Sequence, residues 1–197
     1  MVTYRINDIF YSLQGEGRWA GTPAIFIRFS GCNLKCPFCD TNFQYYIELT
    51  SRQIADRAKQ LSSDCNFVVL TGGEPSLQID TELLDMLRRN NYKIAIETNG
   101  THELPKEGID WVTVSPKNQY VDNGELVLAS ANEVKVVFSG LPFTFNSNIV
   151  ADNYYLQPCD IGDSIKNAQI VSECVEYIKQ HPKWKLSLQQ QKILHIE

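Results

Sequence analysis

Apolar residues fall in short bursts along this chain, and the bursts alternate between two periods. Ala24-Ile25-Phe26-Ile27-Arg28-Phe29 is a β-rich run and predicts the first core strand. Phe67 to Leu70, Lys93 to Glu97, Trp111 to Val114, Val134 to Phe138 and Tyr154 to Gln157 predict further strands, with a short one at Trp184 to Ser187. Between them the period lengthens. A helix is expected from about Ser51 to Leu61, where Thr50 and Gln53 have capping-box spacing and Ile54, Ala58 and Leu61 share a face. A second should run from about Thr81 to Arg89 behind Asp80 as N-cap, and a third from about Ala168 to Lys179. The segment from Ile9 to Gly17 reads as an amphipathic lead-in to a glycine-rich turn.

Strands alternating with helices imply a largely parallel sheet. A complete eightfold β/α barrel takes about 250 residues, and this chain has 197. The expected fold is therefore α/β, an incomplete TIM-type β/α barrel. No linker, repeat or low-complexity tract divides it, so residues 1–197 are expected to form a single domain.

Bulk numbers narrow the function. With 43% hydrophobic and 21% charged residues the composition is that of an ordinary globular protein. A net charge of -5 implies no general basic surface for nucleic acid. No apolar run reaches membrane-spanning length, and the N-terminus lacks an apolar signal core, so a cytoplasmic protein is expected. Of six cysteines, three sit within eight residues, too close for a disulfide framework. Cys65, Cys159 and Cys174 are scattered and read as spectator thiols.

The crowded three carry the chemistry. Cys32-Asn33-Leu34-Lys35-Cys36-Pro37-Phe38-Cys39 has the spacing C-x3-C-x2-C with no fourth cysteine nearby. Structural zinc and electron-transfer clusters normally take four protein ligands. Three thiolates on a four-iron cluster would leave one iron open to a substrate or cofactor. A zinc site borrowing a fourth ligand is the alternative. Unusual polar or glycine-rich stretches lie where the predicted strands end: Gly31-Cys32, Thr71 to Glu74, Glu97 to Gly100, Ser115-Pro116-Lys117 and Gln157-Pro158. In parallel β/α sheets those ends form the ligand site. His102, His181 and His195 lack metal-ligand spacing and read as surface residues, and the pairs Tyr45-Tyr46 and Tyr154-Tyr155 as packing.

The cysteine run, with Phe38 before its last cysteine, resembles the radical S-adenosylmethionine superfamily. That resemblance implies a [4Fe-4S] cluster on Cys32, Cys36 and Cys39 whose open iron is chelated by S-adenosylmethionine, with reductive cleavage yielding a 5'-deoxyadenosyl radical. It also implies cofactor contacts from Phe38, Cys39, Asp40, Gly73, Glu74, Thr98, Asn99, Ser115, Pro116, Lys117, Gln157 and Pro158. The N-terminal Phe10-Tyr11-Ser12-Leu13-Gln14-Gly15-Glu16-Gly17, then Gly21, Pro23 and Arg28, resembles the 7-carboxy-7-deazaguanine synthase family. This implies pterin contacts from Leu13, Gln14, Gly15, Glu16, Arg28 and Thr71. Gln14 and Glu16 suit the amide and amine edges of a pterin, and Arg28 suits a carboxylate. Thr41, two residues past Cys39, matches the family's Mg2+-binding threonine, and magnesium characteristically takes few protein ligands. The ending Leu186-Ser187-Leu188-Gln189-Gln190-Gln191-Lys192 resembles the family's last motif, except that Gln191 stands where histidine is usual. The family implies loss of ammonia from 6-carboxy-5,6,7,8-tetrahydropterin, on the route to the queuosine precursor. It also implies a flavodoxin-like one-electron donor and a homodimer. A glycyl-radical activase and a non-enzymatic iron-sulfur or zinc module are the competing readings.

Overall fold

The computed structural model describes residues 2–42 and 45–196. Among the described residues nine strands form one open sheet: β1 (Tyr4–Leu13), β2 (Pro23–Phe29), β3 (Ile47–Leu49), β4 (Phe67–Gly72), β5 (Lys93–Thr98), β6 (Trp111–Val114), β7 (Ser130–Phe138), β8 (Val150–Pro158) and β9 (Trp184–Leu186). Their order is β3-β1-β2-β4-β5-β6-β7-β8-β9. From β2 to β9 every neighbouring pair is parallel, while β1 pairs antiparallel with β2 and β3. This is the expected partial barrel with an antiparallel margin. Helices α1 (Ser51–Leu61), α2 (Thr81–Arg89), α3 (Ser164–Gln180) and α4 (Gln190–Leu194) complete the chain. No helix is long and apolar enough to cross a membrane among the described residues.

The first strand differs from expectation. The lead-in that looked merely amphipathic is the ten-residue strand β1, so the Ala24 run is the second strand. A register shift between Ile6 and Asp8 explains why the alternation was hidden. Tyr4, Ile6 and Ile9 pack on one side of the sheet, Phe10 on the other, and the bulge breaks the period of two. Leu61 is a second correction: Ile54 and Ala58 are fully buried, but Leu61 is 42% exposed on the last turn. Helix α3 starts four residues earlier than expected, because Asp163 accepts hydrogen bonds from the Ile165 and Lys166 amides. Tyr45 and Tyr46 lie outside any strand and are exposed, with the Arg5 guanidinium over the Tyr46 ring. Tyr154 and Tyr155 are buried in β8.

Strand alternation builds two sides with different uses. On the outer side Ile25, Ile27, Val68, Leu70, Ile94 and Ile96 pack against α1 and α2. Val134, Val136, Phe138 and Leu156 pack with Ile170 and Cys174 of α3. On the inner side the lower positions are apolar: Phe10, Ala24, Phe26, Phe67, Val69 and Ala95 form a third cluster, joined by Trp19 and Trp111. One step of two further along, the inner positions turn polar or charged: Arg28 after Phe26, Thr71 after Val69, Glu97 after Ala95, and Ser115 two residues past Thr113. The barrel interior thus has an apolar floor and a polar mouth at the C-terminal strand ends, where such sheets bind ligands.

Candidate active site

Two adjoining cavities occupy the mouth. Cys32, Cys36 and Cys39 line the first, with Phe38, Gly73, Glu74, Thr98, Asn99, Ser115, Lys117, Gln157 and Pro158. Leu13, Gln14, Gly15 and Arg28 line the second, with Phe10, Phe26 and Gln191. Glu16, Asp40, Thr41, Thr71, Glu97, Lys135, Gln189 and Lys192 line both and form the shared wall. The five strand ends singled out in the sequence thus meet in one place. Pro116 is the exception among the named residues: it is buried and lines neither cavity.

The cysteine loop leaves the end of β2 and is fixed from several directions. Glu74 N donates to Gly31 O (2.8 Å) and Gly73 N to Phe29 O (3.0 Å). A Cβ on Gly73 would lie 2.0 Å from Gly31 O, so only glycine lets the β4 end approach the loop. Asn33 Nδ2 donates to Thr101 Oγ1 (2.8 Å), Asn99 Nδ2 to Asn33 Oδ1 (3.0 Å), and Asn123 Nδ2 to Asn33 O (3.1 Å). The Leu34 amide points at Cys32 Sγ (3.4 Å), as suits a thiolate. Burial raises the Cys32 and Cys36 thiols above their ordinary range, opposed at Cys32 by that amide and at Cys36 by Lys117. Among the described residues no three histidine, cysteine or carboxylate side chains converge on a single-ion position. Three thiols on one cavity suit a four-iron cluster, one thiolate on each of three irons with the fourth left open.

Glu74 is fully committed to the protein. Its Oε1 accepts from Thr98 Oγ1 (2.6 Å) and Ser76 N (3.0 Å), and Oε2 accepts from Asn99 N (2.7 Å). It ties the end of β4 to the end of β5 and holds the Thr98-Asn99 turn against the first cavity. Lys117 Nζ donates to Ser115 O (2.9 Å) and Ser115 Oγ. Burial lowers it to about 8, with the neighbouring Cys36 pulling the other way. Gln157 Oε1 accepts from Ser187 Oγ (2.8 Å).

The second cavity is organised by a buried charge chain. Lys135 Nζ, pointing inward from β7, donates to Glu16 Oε2 (2.6 Å) and Glu97 Oε2 (2.9 Å). Glu16 Oε1 accepts from Gln189 Nε2 (3.1 Å) and Gln191 Nε2 (2.9 Å), and Gln14 Nε2 donates to Glu97 Oε1 (3.3 Å). Burial disfavours ionised Glu16, but the Lys135 ammonium and the two amides outweigh it and hold the group at about 2. At Glu97 burial wins over Lys135 and the carboxyl is raised. Lys135 loses charge preference to burial and regains more from its two carboxylates, so it is held firmly protonated. The Arg28 guanidinium lies over the Phe10 ring, 5.0 Å from its centroid.

The sequence points to one pocket and names residues on both of these cavities, but not what joins them. Lys135 was passed over inside a strand-like run, although a lysine in a buried parallel strand is a signal in its own right. Also missed were Gln189 and Lys192. Lys192 Nζ bridges Asp40 Oδ2 (3.1 Å) and Asp160 Oδ2 (3.0 Å), fastening α4 to the residue after Cys39. Gln191 takes part through Glu16 despite replacing the usual histidine. Cys159, read as a spectator, is buried in the wall of the first cavity. The histidines stay outside: His102 pairs with Thr101 and His181 stacks on Tyr177.

The comparisons agree with this geometry. The Radical SAM superfamily pattern matches residues 26–118. A 7-carboxy-7-deazaguanine synthase of Bacteroides thetaiotaomicron is 46% identical over 192 residues, 98% of each chain. That of Nitratidesulfovibrio vulgaris is 41% identical over 99% of this chain and all of its own. The crystal structure of QueE from Escherichia coli superposes with a TM-score of 0.77 at 28% identity, covering 95% of this chain and 94% of that one. A cysteine loop with three thiols, a polar mouth at parallel strand ends and near-full-length identity of this order together mean that the chain belongs to the 7-carboxy-7-deazaguanine synthase family of radical SAM enzymes.

Proposed function

We propose that the chain converts 6-carboxy-5,6,7,8-tetrahydropterin to 7-carboxy-7-deazaguanine with loss of ammonia, as one catalytic unit over residues 1–197. What carries the reading is the shared wall: a cavity lined by the three cysteines opens onto one lined by Gln14, Glu16 and Arg28, with Thr41 bordering both. Cys32, Cys36 and Cys39 would hold the [4Fe-4S] cluster. Bound there, cluster and S-adenosylmethionine supply the one-electron chemistry that activates the substrate. Ser115 and Lys117 would take the carboxylate of S-adenosylmethionine, and the Gly73 backbone its amino group. Thr98 and Asn99 would take the ribose, Gln157 and Pro158 the adenine side, while Phe38 and Asp40 border the cofactor. Arg28 would hold the pterin carboxylate bidentately. Gln14 and Glu16 would read the amide and amine edge, with Leu13, Gly15 and Thr71 against the ring. Thr41 would give Mg2+ one oxygen and leave its other positions to substrate and water. Positioning of this kind is where the protein contributes most to such a reaction.

The reading extends to a flavodoxin-like electron donor and a homodimer. The test is an anaerobic assay of the iron-reconstituted protein with S-adenosylmethionine, reductant, Mg2+ and the pterin, followed by mass spectrometry. 7-Carboxy-7-deazaguanine should appear, and Cys36→Ala should abolish it. Cys159→Ser should keep full iron, since the cluster takes only the other three thiols. Accumulation of 5'-deoxyadenosine alone would remove the pterin assignment.

A further inference from the structure

The charge chain ends on a carboxylate that no step above uses. Glu133 lies on the inner side of β7, two residues before Lys135, and is 1% exposed. Its Oε2 accepts a hydrogen bond from Arg18 N (2.9 Å). Its Oε1 fills the space beside Gly17, where a Cβ would approach it to 2.0 Å, and Gly17 has φ +64°. The turn Gly17–Trp19 therefore rests on Glu133, and Glu16 is the residue leading into that turn. Gly17 N, in turn, donates to Ser187 Oγ (2.9 Å). Strand β7 thus grips the Gln14-Gly15-Glu16-Gly17 segment twice: through Lys135 on the Glu16 side chain, and through Glu133 on the backbone just beyond it.

We propose that Glu133 is a positioning residue for the substrate half of the site, holding the Gly17–Trp19 turn so that the Glu16 carboxylate stays aligned between Lys135 and the C-terminal glutamines. The inference rests on the pterin reading of that half. Its chemistry differs from that of its neighbours. Glu16 and Glu97 each have the Lys135 ammonium on one oxygen, whereas Glu133 has a neutral amide. The groups around it are Glu97 of β5, Lys135 of its own strand, Glu16, Arg18 and, on β8, Tyr155. Burial first, and Glu97 next, raise Glu133 to about 7, against Lys135 and the Arg18 amide. Ionised, Glu133 accepts more strongly from the Arg18 amide and repels Glu97 and Glu16.

The experiment compares variants with wild type in the reconstituted enzyme, reading the pterin KM, the pterin Kd by calorimetry, iron content and S-adenosylmethionine affinity. Glu133→Ala should raise KM and Kd for the pterin by about tenfold, the scale of one lost buried hydrogen bond. Iron content and S-adenosylmethionine affinity should not move. Glu133→Gln keeps an acceptor for the Arg18 amide, so KM should stay within about twofold at pH 6. Arg18→Pro removes the turn's N–H together with the guanidinium, so Arg18→Ala, which removes the side chain alone, is its control and should leave KM near wild type; Arg18→Pro should match Glu133→Ala, and the double variant should add nothing further. Where Glu133→Ala does not fold, Arg18→Pro decides. Wild-type KM in the Ala or Pro variant, or a Gln variant impaired as much as Ala, overturns the proposal. Failure of wild type itself to turn over the pterin overturns the substrate reading instead.

Discussion

At the scale of single residues, the site is governed by which lone pairs are already taken. Glu74 lies in the motif that the family resemblance assigns to the cofactor, yet both its oxygens are engaged by Ser76, Thr98 and Asn99, and it is 1% exposed. Hydrogen bonds to a buried charged group contribute about 1.5–3 kcal/mol each, and leaving a partner unsatisfied costs a comparable amount. Glu74→Gln is nearly isosteric but turns one oxygen into a donor facing an N–H or O–H. It should lose about 2–3 kcal/mol and loosen the Thr98-Asn99 turn. Thermal melting together with S-adenosylmethionine binding checks this: both should fall. A variant that melts normally but no longer binds would instead mean that Glu74 meets the cofactor directly.

At the scale of elements, what was legible followed from regular period and local caps. Thr50 and Gln53 form the expected capping box, with Gln53 N donating to Thr50 Oγ1 (3.3 Å) and Thr50 N to Gln53 Oε1 (2.9 Å). Thr50→Ala should cost about 1 kcal/mol, a drop of about 2–4 °C in Tm for a domain of this size. Turnover should be unchanged, since α1 packs on the outer side, away from the mouth. An unaltered Tm would show the box to be idle. Elements hidden from the sequence share one trait, a broken or missing period. The bulge after Ile6 splits the apolar positions of β1 between two sides of the sheet, so no run of alternation was long enough to read as a strand. The first turn of α3 is solvent-facing, with Ile165 82% exposed, and only Asp163 marks its start. Site residues followed the same division. The cysteine spacing and the strand-end motifs are local in sequence and were readable. Glu16, Glu97 and Lys135 meet across the barrel, and no local pattern announces a contact between positions so far apart.

At the scale of the whole molecule, an open sheet has to hold its two halves together across the mouth. The outer core is two clusters, one under β1, β2, β4 and β5 and the other under β6 to β9, with Val112 of β6 packed against both. Lys135, from the second half, reaches Glu97 of the first and Glu16 of the loop after β1, while Ser187, Gln189 and Gln191 close over the same segment from the C-terminal end and Lys192 reaches Asp40 beyond the cysteine loop. Removing one member of a buried charge network is costlier than the network is worth, because the remaining charges stay buried without a partner. Lys135→Met should therefore destabilise by about 3–5 kcal/mol near neutral pH. The sign with pH follows from the groups left behind. In wild type the Glu16 carboxylate sits at about 2, below its ordinary value of 4.5, so its contribution is present above 4.5 and fades only as pH falls toward 2. Without the lysine, burial, the largest influence on both, is opposed at Glu16 only by the Gln189 and Gln191 amides and at Glu97 by the Gln14 amide and the more distant Lys117, and drives both upward, so each binds a proton more tightly folded than unfolded. Stability of the variant then rises on acidification, and its deficit relative to wild type should shrink from pH 7.5 to pH 5. Anaerobic melting of the two reconstituted proteins at both values measures this. A deficit independent of pH would mean that Lys135 acts through packing and not as the cation joining the halves.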